Sequence, residues 1–176
     1  LNGYGPTEAT IACTFFSVPE EQSVPGNTPI GKPITNVTHY VVNQVGELAP
    51  IGVAGELLIG GAGLARGYLN KPEATAAGFV AHPFSNASEA KVYKTGDWVK
   101  YLPQGDIEFV GRIDNQVKIS GLRVELGEIE VQLVNCPMVA NGAVIARTLN
   151  RNKGDKKIVA FVVPEKDVAA GNKADF

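Results

Sequence analysis

The chain has 176 residues, 44% of them hydrophobic and 19% charged, with a formal net charge of −2. That length and apolar content fit one globular domain or two small ones. The charge balance gives no general attraction to nucleic acid, no run approaches the ~18 apolar residues of a membrane helix, and no basic–apolar–small leader opens the chain.

Taken in chain order, residues 1–13 read as a strand end, a loop punctuated by Gly and Pro, and a short helix or turn from Thr7. Residues 14–29, with Pro19, Pro25 and Pro29 among polar residues, read as a loop. From 30 to 112 the signals are short strands separated by turns; THYVVN, ELLIGG, VYKTGDWVKYL and DIEFVGR are the clearest. Their β-branched and aromatic content with intervening Gly predicts a small antiparallel barrel or sandwich. Residues 72–81 (PEATAAGFVA) read as a helix with Pro72 in its first turn, ended by His82-Pro83. Residues 85–91 read as a polar surface loop.

Beyond Asp114 the pattern changes. Val117 and Ile119 alternate with Lys118 and Ser120 at strand period, so a short hairpin is expected. Leu126, Ile129, Leu133 and Val134 recur at helical spacing and predict a helix at about 126–135. VANGAVIAR and KIVAFVV follow as strands, joined by a basic turn, and the last residues, DVAAGNKADF, read as the start of another helix. The expected fold is therefore mixed α/β: a small antiparallel β-barrel-like unit over residues 1–113, then a small α+β unit over 114–176. The chain starts without Met, inside a loop of site-like composition, and reads as a piece of a longer protein.

Four stretches carry chemistry. NGYGPTE at 2–8 offers backbone N–H groups, a hydroxyl, a carboxylate and a flat ring. Those groups suit a nucleotide: amides and Thr7 for phosphate, Glu8 for a divalent cation and Tyr4 for stacking; the bland alternative is a solvated Gly-Pro turn. GELLIGGAGLARGY at 55–68 is glycine-rich but lacks the Lys-Ser/Thr pair of a phosphate loop. It reads as a strand and turn, with Arg66 and Tyr68 as scaffold. Thr95-Gly96-Asp97 puts a carboxylate after a tight turn, suited to two vicinal hydroxyls or to capping the turn. GRIDNQVKISGLRVELGEIE at 111–130 is a charged, flexible junction between two apolar units, as a moving boundary requires. Arg112 has forked donors for ribose or phosphate, or for an ion pair with Asp106 or Asp114. Glu125, Glu128 and Glu130 flank a helix start, where negative charge favours the helix dipole.

Cys13 and Cys136 lack ligand-like spacing and read as buried free thiols, which suits a cytoplasmic location. His39 and His82 have no Cys or carboxylate partners at ligand spacing, so no zinc site is expected.

Segment 111–130 resembles the hinge motif of amino-acid adenylation domains of nonribosomal peptide synthetases, which belong to the adenylate-forming (AMP-binding) superfamily. NGYGPTE at 2–8, GELLIGGAGLARGYLNKPEAT at 55–75 and YKTGDWVKYLPQGDIEFVGR at 93–112 agree in order and spacing. The resemblance implies the last part of a large adenylation subdomain over 1–113 and an incomplete small mobile subdomain over 114–176. It implies ATP/AMP and Mg²⁺ as cofactors, with Tyr4 stacking on adenine, Thr7 at the α-phosphate and Glu8 on Mg²⁺. Asp97 is implied at the ribose, Phe109 near adenine and Arg112 at the ribose or phosphate. Gly3, Ile11 and Ala12 are implied to line the amino-acid side-chain pocket; for Ile11 and Ala12 plain core packing is the alternative. Asp114 matches the hinge and Gly121 the pantetheine tunnel, while Lys118 and Arg123 could reach phosphate or carrier-protein charges. The implied partners are an amino acid and the phosphopantetheine of a peptidyl carrier protein, with a small accessory protein in some relatives; neither nucleic acid nor membrane is implied. The family's catalytic lysine is expected beyond Phe176, and Lys166 and Lys173 lack its surrounding motif, so these 176 residues alone are expected to be inactive. An acyl- or aryl-CoA ligase of the same superfamily, or a non-catalytic interaction module that kept the fold, are the other readings. The amino acid is not named by the sequence.

Overall fold

The computed structural model describes residues 1–20, 27–87, 89–114, 116–119, 122–148 and 156–165. Its contacts divide the chain into two compact units, Leu1–Ile113 and Asp114–Phe176.

The first unit is built on strand β7 (Lys91–Tyr101), the longest described strand. It pairs antiparallel with β5 (Gly55–Gly61) along one edge. The other edge takes β6 (Phe79–Ala81) near its start and β8 (Ile107–Arg112) near its end. Strand β4 (Val37–Val42) completes the sheet beyond β5. A second antiparallel sheet holds β1 (Asn2–Tyr4), β2 (Thr14–Phe16) and β3 (Lys32–Pro33). The two sheets are stitched where Ile30 and Gly31 exchange backbone hydrogen bonds with Ile107, at 2.8 and 3.0 Å.

Alternation along the strands sorts the core onto both sheet faces. Val41, Leu57, Ile59 and Val99 pack with Ala9, Cys13, Ile30 and Ile107 in the main core. Val42, Leu58 and Val92, with Tyr40 and Val80, form a smaller cluster. Each such aliphatic side chain contributes about 1.5–3 kcal/mol by leaving water. Burial also raises the Cys13 thiol to about 11, so it stays protonated and packs as a small apolar group. Both Cys13 and Cys136 are free.

Two elements differ from the sequence expectation. Helix α1 ends at Gly78, not at Ala81 (Pro72–Gly78). Phe79–Ala81 leaves it to pair with Lys91–Tyr93, and Phe79 is buried against the Tyr93 and Tyr68 rings. No residue of α1 is buried, so little packing extends it past a glycine. In the stretch 14–29, Thr14–Phe16 is a strand because β1 offers it a pairing edge and Thr14 is fully buried; Pro25 lies outside the described residues.

In the second unit β9 (Gln116–Ile119) and β10 (Leu122–Glu125) pair antiparallel. Helix α2 (Leu126–Val134) follows, with Leu126 buried. Strands β11 (Val139–Thr148) and β12 (Lys156–Pro164) pair along nearly their whole length. Leu133 packs over Gly142. Glu130 does more than sit in the helix field: its Oε1 accepts the Val144 N–H at 2.8 Å and ties α2 to β11. Residues 150–155 of the basic turn expected over 150–157, and the expected terminal helix, lie outside the described residues, while Lys156 and Lys157 belong to β12.

Gly31 has φ +91°, and a Cβ there would lie 1.9 Å from the Phe15 carbonyl oxygen. Gly31→Ala is therefore expected to cost at least ~2 kcal/mol, read as a lowered denaturant midpoint. His39 is buried, and among the described residues neither ring nitrogen has a hydrogen-bond partner. Burial lowers its pKa from 6.5 to about 4. The unfolded chain then binds the proton more readily than the folded one, so the neutral ring's stability is intact above pH 6.5 and lost as pH falls toward 4. Between pH 6.5 and 5 this amounts to about 2 kcal/mol. Denaturant titrations at pH 7 and 5 are expected to show a smaller loss for His39→Leu by about that amount.

Candidate active site

The site begins with an irregularity in β7. Lys94 pairs with Leu58 and Trp98 with Glu56, so Thr95, Gly96 and Asp97 together face the single residue Leu57. Such a bulge re-aims side chains that the strict alternation of a strand would fix. Gly96 takes φ +69°, a conformation glycine adopts without steric cost. The Thr95 hydroxyl locks the turn, donating to the Leu57 carbonyl at 2.8 Å and accepting the Asp97 N–H at 3.0 Å. The Gly96 N–H donates to Glu56 Oε1 at 3.2 Å, and Gly96 O accepts the Ile113 N–H at 2.8 Å.

Asp97 is 6% exposed. Arg112, its cross-strand neighbour on β8, donates from Nη1 to Asp97 Oδ1 at 2.5 Å and from Nη2 to the Thr95 carbonyl at 3.1 Å. The Tyr4 hydroxyl donates to Asp97 Oδ2. Burial first, and then the charge of Asp97, push the Tyr4 hydroxyl well above its ordinary pKa, so it stays a proton donor. Arg112 thus pairs with Asp97, an ion pair that the sequence reading did not weigh. Phe109 packs partly buried against the main core.

Thr7–Ala9 forms a single 3₁₀ turn that buries Glu8 and Ala9 and leaves Thr7 exposed. The turn is clasped by the loop after β5. Thr10 Oγ1 donates to the Gly63 carbonyl at 2.7 Å, and the Ala65 N–H donates to the Glu8 carbonyl at 2.8 Å. The Tyr68 hydroxyl donates to Glu8 Oε1 at 2.5 Å. Loss of water, and then this bond, raise the Tyr68 hydroxyl pKa. The residues read as scaffold from the sequence therefore include one that touches the Glu8 carboxylate, which sequence reasoning missed. The separation of 60 residues between them leaves no local signal.

Thr10 and Ile11 both have positive φ, 56° and 67°, and the Ala12 N–H closes a tight turn onto Thr10 O at 2.7 Å. A β-branched residue is strained there, and the turn leaves Ile11 81% exposed. Plain core packing is excluded for Ile11. Ala12 is half-buried, and Gly3 is exposed on β1, opposite Phe15. Asp114 is exposed, and its Oδ1 accepts the Gln116 N–H at 3.2 Å. Gly121 lies outside the described residues, as do the side chains of Lys118 and Arg123.

A family model described as AMP-binding enzyme matches residues 1–69. The chain is 51% identical over 168 residues to tyrocidine synthase 3 of Brevibacillus parabrevis, covering 96% of this chain and 2% of that protein. It is 45% identical over 170 residues to surfactin synthase subunit 1 of Bacillus subtilis (strain 168), covering 97% of this chain and 5% of that one. Among solved structures it is similar to an NRPS protein containing adenylation and PCP domains, bound to a vinylsulfonamide inhibitor. That likeness has a TM-score of 0.83 at 35% identity and covers 94% of this chain and 28% of that one. Residues 1–69 thus match the AMP-binding enzyme family, and nearly the whole chain is similar to part of these adenylation proteins. Its mixed α/β architecture is that of the C-terminal part of an adenylate-forming enzyme, and the chain spans only a few per cent of the curated relatives above.

Among the described residues no group of three His, Cys, Asp or Glu side chains could hold a metal by itself. One buried carboxylate, Glu8, fits the other mode, in which Mg²⁺ takes one or two carboxylates and completes its shell with substrate phosphates and water.

Removing the Arg112 cation leaves the buried Asp97 carboxylate without its ion-pair partner. Arg112→Met is expected to cost about 3 kcal/mol in denaturant unfolding. The double variant with Asp97→Asn is expected to cost less than the sum of the two single changes.

Proposed function

We propose that this chain is the C-terminal portion of an amino-acid adenylation domain of a nonribosomal peptide synthetase. The complete enzyme would activate an amino acid with ATP and pass it to a peptidyl carrier protein. The observation that carries the reading is the buried knot of Tyr4, Asp97 and Arg112, with Glu8 braced on the same N-terminal loop. In the first step the amino-acid carboxylate oxygen attacks the α-phosphorus of ATP, and pyrophosphate leaves. In the second the phosphopantetheine thiol, losing its proton, attacks the acyl carbon; a thioester forms and AMP leaves.

The roles follow from the chemistry of each group. A carboxylate has about four lone-pair sites, so Asp97 can accept ribose hydroxyls while holding Tyr4 and Arg112. Anchored by its hydroxyl, the Tyr4 ring is a fixed plate for adenine. Thr7, exposed on its turn, suits the α-phosphate. Glu8 would hold Mg²⁺, which when bound offsets phosphate charge. Phe109 stands on the strand that ends in Arg112 and would border the base. Gly3, Ile11 and Ala12 would wall the side-chain pocket; none carries charge, which fits an uncharged amino-acid side chain. Asp114, at the boundary between the two units, would be the hinge, and Gly121 would border the pantetheine arm. Such a site works mainly by positioning and by neutralising phosphate charge. The similarity to named peptide synthases, and to a solved protein with adenylation and PCP domains, supports the carrier partner.

The test is ATP–pyrophosphate exchange by the full-length protein across a panel of amino acids and carboxylic acids. Exchange with one amino acid, lost in Asp97→Ala, is the expected result. Exchange only with fatty or aryl acids would assign the chain to a CoA ligase. Exchange with no acid by a folded protein would overturn adenylation.

A further inference from the structure

Among the bonds that join the loop after β5 to the Thr7–Thr10 turn, one reaches a side chain that the proposed chemistry uses. That bond is the Tyr68 hydroxyl to Glu8 Oε1, at 2.5 Å. The geometry points to Tyr68 as a positioning residue that holds the Glu8 carboxylate in the orientation required of a Mg²⁺ ligand; this rests on the adenylation reading above.

The rest of the loop is arranged to hold that hydroxyl still. The Tyr68 N–H donates to Thr75 Oγ1 at 2.9 Å, and the Thr75 hydroxyl donates to the Lys71 carbonyl at 2.9 Å. The preceding Gly67 has φ +144°, and a Cβ there would lie 2.4 Å from Thr75 Cγ2, so loop and helix α1 meet without room for a side chain. The Tyr68 ring packs edge-on against Phe79 at 5.7 Å, and Phe79 packs against Tyr93 at 5.2 Å. Phe79 is 4% exposed and Tyr93 3%. A rigid ring thus carries the hydroxyl across 60 residues of sequence to Glu8. A glutamate side chain has several rotamers open to it, and a fixed donor on one oxygen of the buried Glu8 carboxylate selects one of them. Partners of this kind raise metal affinity by fixing ligand orientation. The early end of α1 acquires a purpose: Phe79, extended instead of helical, is the surface on which the Tyr68 ring rests.

The experiment uses the full-length protein with a non-hydrolysable ATP analogue, and Mn²⁺ followed by electron paramagnetic resonance. Tyr68→Phe removes the hydroxyl and keeps the ring on Phe79. It is expected to weaken Mn²⁺ in the ternary complex about tenfold, to lower the exchange rate about ten- to a hundredfold, and to leave the KM for the amino acid unchanged. Excess Mg²⁺ is expected to restore much of the rate, which it would not do for a merely loosened fold. In a Glu8→Gln background the Tyr68→Phe change is expected to add nothing. If Tyr68→Phe does not fold, Thr75→Val, which loosens the loop without touching Glu8, must weaken Mn²⁺ in the same direction. Wild-type affinity in Tyr68→Phe, with Glu8→Gln weakened, would overturn the role of Tyr68 and leave the adenylation reading standing. Wild-type affinity in Glu8→Gln would overturn it by removing Glu8 as a ligand. A wild-type protein that binds no Mn²⁺–nucleotide at all would overturn both.

Discussion

The ion pair between Asp97 and Arg112 is the contact on which the rest of the first unit depends. A buried carboxylate is costly unless it is paired and hydrogen-bonded, and every nearby irregularity serves that requirement. The three residues Thr95–Asp97 stand opposite the one residue Leu57, which aims the carboxylate. Val110 is likewise one residue more than β7 matches between the Trp98–Gly111 and Val99–Phe109 pairs, so β8 delivers Arg112 opposite Asp97. Tyr4 arrives from the other sheet and occupies the second carboxylate oxygen. The stitch at Ile30, Gly31 and Ile107 holds those two sheets in register.

Around this knot the glycine-rich stretch has a role its composition does not advertise. It lacks the pattern of a phosphate loop, yet its loop clasps the 3₁₀ turn through Gly63, Ala65 and Tyr68. The polar groups of one motif are thereby satisfied by another. This is the expected economy of a buried site, where backbone and carboxylate groups must find partners inside the protein. The strain at Thr10 and Ile11 falls in the same clasped segment, whose bonds to Gly63 and Ala65 hold it in place.

The second unit rests on different physics. Its hairpin, its helix and its long strand pair are all local in sequence. A side-chain bond from Glu130 to the Val144 N–H fastens helix to sheet, in a position that charge patterning alone would assign to the helix dipole.

Strand positions, the α2 helix and the change of architecture near residue 114 were legible because periodicity and turn chemistry are local properties. Val117 and Ile119, or Leu126 and Ile129, carry their pattern within a few residues. The candidate residues Tyr4, Glu8, Asp97 and Arg112 were legible by resemblance, motif by motif. Their partners were not: Tyr4 meets Asp97 across 93 residues, and Tyr68 meets Glu8 across 60. The strand at Phe79–Ala81 was hidden for the same reason, since its helical neighbours suit the helix and only the edge of β7 makes a strand better. Composition and spacing determine which elements form and which chemical groups are available. Which carboxylate meets which cation or hydroxyl depends on bulges, register and pairing edges, which exist only once distant strands have come together.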